Sequence, residues 1–135
     1  MLLIAVIAAG GALGALARYA VESAFPHPVT GLPTATLLIN VTGCALIGAL
    51  MVLFADVWAA HRLVRPFLGT GVLGGFTTFS TYVVEAQRLI ALGRPRLALV
   101  YLIGTAVAAL IAVQLGVTAT RLVTRRAISR RRSGR

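Results

Sequence analysis

The sequence has no lysine, three acidic residues and one cysteine among its 135 residues. Glu22, Asp56 and Glu85 do not cluster, and His27 and His61 fall in separate connecting segments. No nucleophilic triad and no side-chain metal cluster has the spacing it needs, so nothing supports an enzyme. Cys44 lies inside an apolar run, which excludes an intrachain disulfide and any cysteine-based metal cluster. Ala15-Leu16-Ala17 resembles a small-residue cleavage site, yet no Lys or Arg precedes the hydrophobic stretch before it, and the segment reads as a retained helix rather than a signal peptide. Low-complexity linkers and internal repeats are also lacking.

What the sequence does have is apolar surface and arginine. Hydrophobic residues make up 59% and the mean hydropathy is +0.92, too high for a soluble domain of this length. The bilayer is therefore the solvent. Uncharged stretches run from Met1 to Ala17, Leu32 to Ala55, Phe67 to Val84 and Leu97 to Thr120. Each approaches or exceeds the roughly 18 to 20 residues that cross hydrocarbon as a helix. The expected fold class is all-α, with four transmembrane helices in residues 1–120. The connections carry turn and charge signals at Pro26-His27-Pro28, at 56–66 and at Gly93-Arg94-Pro95-Arg96. Beyond Thr120, seven Arg among fifteen residues offer nothing for a packed core, so 121–135 is expected to be a mobile cytoplasmic tail. Such a juxtamembrane cluster suits anionic lipid and sets topology; no nucleic acid is expected.

Polar residues inside the spans carry the functional signal. Gly69, Gly71, Gly74 and Gly75 precede Thr77-Thr78-Phe79-Ser80-Thr81-Tyr82 in the third span. This composition predicts a helix that breaks, because Gly costs about 1 kcal/mol relative to Ala in a helix interior. Carbonyls freed by a break can bind a hard cation, and a Gly/Thr face equally serves close helix packing. Asn40 shares a face of the second span with Thr36 and Gly43, and its amide N–H groups suit either an anion or an interhelical hydrogen bond. Phe79, Tyr82 and Glu85 recur every three residues; aromatic stripes pack cores, but their ring edges carry positive charge that solvates a small anion. Tyr101 and Thr105 place two hydroxyls on one face of the fourth span, and Arg18 either snorkels or forms a cationic vestibule. One four-helix bundle fills its own centre with side chains and leaves little room for a pore, so a transport function suggests an oligomer.

Together these residues resemble the fluoride channel family known as Fluc or CrcB. The segment Gly71-Val-Leu-Gly-Gly-Phe-Thr-Thr-Phe-Ser-Thr-Tyr82 is similar to its third-helix signature, Gly10-Gly-Ala-Leu-Gly-Ala-Leu-Ala-Arg-Tyr19 to its first, and Leu38-Ile-Asn-Val-Thr-Gly43 to its second. The resemblance runs from Ala9 to Thr120. It implies an antiparallel dual-topology dimer, two fluoride pathways and a structural sodium ion held by the backbone carbonyls of Gly74 and Thr77. It further implies pore roles for Asn40, Phe79, Tyr82, Glu85 and Tyr101. Thr36, Ser80, Thr81, Thr105 and Arg18 join them as candidates for the pathway. Position 82 departs from the family pattern, with Tyr where the family has Phe. The second subunit is either an identical chain or a paired homologue.

Two other classes compete. A small proton-coupled multidrug exporter needs a carboxylate deep in its first helix, and none stands there. A lesion or scaffold protein such as a phage holin needs only generic apolar faces and tolerates substitution of Asn40.

Overall fold

Among the described residues, three prolines open helices and a glycine closes one. Pro33 precedes the second span, while Pro66 and Pro95 take first helical positions, where a missing N–H costs nothing and φ is already set. The computed structural model describes residues 1–25, 31–57 and 62–133, with side chains omitted at 56–57 and 126–133. Helix α1 is Leu2–Ala24, and α2 is Thr34–Val52, continued by a π-helical turn Leu53–Val57. Helix α3 joins the π-helical Pro66–Leu73 to a single α-turn Gly74–Phe76. Helices α4 and α5 are Ser80–Ala91 and Pro95–Ser133. There is no strand among the described residues.

Among the described residues, four helical spans are long and apolar enough to cross a membrane: Leu2–Ala24, Thr34–Ala55, Pro66–Ala91 and Pro95–Arg125. The protein is a multi-pass membrane protein, all-α as its hydrophobic runs require. The tight connection between α4 and α5 is a Schellman motif. Gly93 sits at φ 73°, Arg94 N–H donates to the Leu89 carbonyl at 2.9 Å, and Gly93 N–H donates to that of Ile90 at 2.9 Å. The signals at Pro26-His27-Pro28 and at His61 lie outside the described residues.

Backbone contact between helices explains the glycine usage. A Cβ on Gly14 would collide with the Val72 carbonyl, and one on Gly75 with that of Gly11, so α1 and α3 touch main chain to main chain. Gly48 lies against the Val113 carbonyl and Gly116 against that of Ala45, which does the same for α2 and α5. Gly104 differs, for a Cβ there would meet nothing within 4 Å. Ala86, Leu89, Ala98 and Tyr101 form a buried cluster between α4 and α5. Helix α5 runs past Thr120 and through the Arg-rich segment to Ser133, further than the composition-based reading of 121–135 implied. Arg and Ala are good helix formers, and a helix already nucleated in the bilayer extends cheaply.

Candidate functional site

The third span changes conformation at Thr77, whose φ of −73° and ψ of 155° are extended, and regular helix resumes at Ser80. At membrane depth the backbone groups released there need partners. Asn40, reaching across from α2, supplies two: its Nδ2 donates to the Thr78 carbonyl at 2.9 Å, and its Oδ1 accepts the Thr78 N–H at 2.9 Å. The amide thus acts as a peptide surrogate, with one N–H remaining. The Thr78 hydroxyl then accepts the Thr81 N–H at 3.1 Å, capping the start of α4, and donates to the Thr81 hydroxyl at 3.0 Å.

These two bonds have a consequence for the carbonyls of Gly74 and Thr77. In an unbroken helix, those carbonyls would accept the N–H groups of Thr78 and Thr81. Both donors are engaged elsewhere, by Asn40 Oδ1 and by the Thr78 hydroxyl. Two carbonyl oxygens are therefore left without their helical donors, one turn apart. A Cβ at Gly74 would meet nothing within 4 Å, so that side of the chain is open.

Beside the break lies a partly open cavity of about 330 Å³, lined by Asn40, Cys44, Thr77, Phe79, Tyr82 and Thr105 among others. None of its lining side chains is charged. Thr105 is only 4% exposed, and its hydroxyl has no hydrogen-bond partner within the protein. A buried hydroxyl left unpaired costs about 1 to 3 kcal/mol, so this one is suited to a ligand that accepts hydrogen bonds.

Behind the cavity, Tyr101 donates to Glu85 Oε2 at 2.7 Å, with Thr36 buried nearby. All three side chains are buried. Tyr82 donates its hydroxyl to the Leu102 carbonyl on α5, and its ring lies tilted between those of Phe79 and Tyr101, with centroids 5.9 and 5.4 Å away. Phe79 is 77% exposed and Ser80 is exposed too. Of the sequence candidates, Asn40, Thr77, Phe79, Tyr82 and Thr105 meet at the cavity, and Thr36 is buried with the hydrogen-bonded pair Glu85 and Tyr101. Ser80 and Thr81 stand at the start of α4. Arg18, half-buried on α1, does not line the cavity. Cys44 does line it, a role the sequence reading missed; its place one turn after Asn40 on α2 was the available signal.

Residues 5–117 match the family model described as CrcB-like protein, Camphor Resistance (CrcB). The chain is 58% identical over 102 residues to "Fluoride-specific ion channel FluC 2" of Streptomyces avermitilis, covering 76% of this chain and 65% of that protein. It is 54% identical over 120 residues to "Fluoride-specific ion channel FluC 1" of Streptomyces coelicolor, covering 89% and 78%. With "Fluoride-specific ion channel FluC 2" of Nocardia farcinica the identity is 52% over 118 residues, covering 87% and 84%. A family match across most of the chain, over the same residues that build the break and the cavity, makes this protein a member of the CrcB-like family.

Proposed function

We propose that the chain is a fluoride-selective passive channel that exports fluoride from the cytoplasm and so limits its toxicity. The observation that carries this reading is the cavity beside the break, uncharged yet lined by the Asn40 amide and the unpartnered Thr105 hydroxyl. Fluoride is small and strongly hydrated, so a path that admits it must replace water with donors. Neutral donors and ring edges do this without the tight grip of a full positive charge. Chloride is larger and is rejected by a narrow path. A negative cell interior drives anions outward by about 2.3 kcal/mol per 100 mV, so no coupled energy source is needed. The names of the three relatives describe the same activity.

The site's second half is a cation seat. A structural sodium ion fits the carbonyls of Gly74 and Thr77, which have lost their helical donors, and hard cations take oxygen ligands of this kind. Bound sodium would supply positive charge that holds the released backbone in place. Two such chains packed antiparallel would cover the interrupted segment, which otherwise presents exposed Phe79 and Ser80 to lipid unable to satisfy a polar backbone. The partner is an identical chain or a paired homologue. Expression in a fluoride-sensitive bacterial host tests export: the chain should restore growth in fluoride medium, and unchanged sensitivity with protein present in the membrane contradicts it.

A further inference from the structure

A second groove, which shares no lining residue with the first cavity, has a different character. It lies between the end of α2 and the start of α3, has a volume of about 340 Å³, and is walled by Leu50, Met51, Phe54, Gly69 and Leu73 with Arg65 at its mouth. Arg65 immediately precedes Pro66, where the third span begins, so the mouth lies at the membrane surface. From there to Leu73 is eight residues, roughly 10 Å of helix, which covers most of one leaflet's hydrocarbon, about 15 Å deep. Met51 is 62% exposed, so the groove is uncovered on its lipid side.

The charge at the mouth selects what enters. The Arg65 guanidinium sits 5.7 Å from the centre of the Phe54 ring, a cation–π contact that holds it over the groove. Arg62 lies at the same end, in a small recess with Leu2, Leu3 and Leu63. Asp56 is the single acidic residue between Glu22 and Glu85, so this rim is net positive. A planar guanidinium pairs with phosphate through two parallel N–H bonds.

We propose that this groove binds an anionic phospholipid, one acyl chain lying along α2 and α3 from Phe54 to Leu73 and the phosphate held by Arg65. Its lining includes none of the residues that line the first cavity, and it is read out by lipid retention. A Cβ at Gly69 would meet nothing within 4 Å, so Gly69→Leu can project into the groove without clashing inside the chain.

The test uses the full chain purified in detergent and supplied with phosphatidylglycerol or phosphatidylcholine, counting retained lipid by native mass spectrometry. The wild type should retain phosphatidylglycerol preferentially. Arg65→Gln should reduce that preference about fivefold, the worth of one arginine at an anionic surface. Gly69→Leu should remove the retained lipid of both kinds, and Met51→Trp, which fills the groove from its other wall, should do the same if Gly69→Leu fails to fold. Soluble glycerol phosphate should not compete. Equal retention of the two lipids, retention unchanged in the variants, or competition by glycerol phosphate would overturn the proposal. So would a Gly69→Leu chain that folds but dissociates, because the groove would then seat a second copy.

Discussion

Replacing Asn40 with Asp changes one atom and two interactions. The Asp keeps an oxygen for the Thr78 N–H, but it can no longer donate to the Thr78 carbonyl, now 2.9 Å from an oxygen instead of an N–H. Leaving that carbonyl unpaired costs about 1 to 3 kcal/mol. The larger effect is on the ion. A carboxylate about 4 Å from fluoride repels it by about 4 kcal/mol at an effective dielectric of 20, which lowers occupancy on the order of a thousandfold. Fluoride efflux from liposomes, read with a fluoride-selective electrode, should therefore fall by at least about a hundredfold in Asn40→Asp, with the assembly still intact by size exclusion. Asn40→Ala separates the two effects. It carries no charge but leaves both backbone groups of Thr78 unpaired, at about 2 to 6 kcal/mol, so it should lower thermal stability while losing less flux than Asn40→Asp does. Wild-type flux through Asn40→Asp would refute the placement of Asn40 on the ion path.

Phe79→Ile should impair flux in the same assay, since an aliphatic side chain has no positive ring edge. Tyr82→Phe should remain active, because it loses only the bond to the Leu102 carbonyl, about 0.5 to 1.5 kcal/mol; a dead channel would show that the hydroxyl is required. Gly74→Val should leave the single chain folded, as a Cβ there meets nothing, yet abolish the dimer on size exclusion; functional dimers with sodium bound would place the cation elsewhere. For topology, Arg62, Arg65 and the seven tail arginines share one side, and Arg18, Arg88, Arg94 and Arg96 share the other, nine against four. If the positive-inside rule fixes both termini in the cytoplasm, an antiparallel dimer would need a paired, oppositely inserted subunit. A reporter cysteine between Gly93 and Arg96 in a Cys44→Ala background should be labelled from one side only, whereas labelling from both sides with flux from the chain alone would show a homodimer.

The spans were legible because charge is so costly in hydrocarbon that its absence over some twenty residues leaves few alternatives. The turn at Gly93 was equally plain. Asn40 stood out as an amide at membrane depth, but its partner did not, because Thr78 lies 38 positions away and no periodicity links α2 to the third span. Which residue leaves the helix, Thr77, was also hidden, since four glycines and a run of hydroxyl residues offer several places to break. The π-helical winding of Pro66–Leu73 left no sequence signal we can identify. Cys44 was read for what it excluded, and only the packing of α2 on the cavity gave it a position. The extent of α5 was underestimated because a charge-rich composition without a core says little about a helix that starts inside the membrane.

The most direct test of the central claim is selectivity. Protein reconstituted in liposomes loaded with equal fluoride and chloride, with efflux started by an ionophore that clamps the potential, should release fluoride rapidly while chloride stays inside. Chloride leaving at a comparable rate would contradict the account.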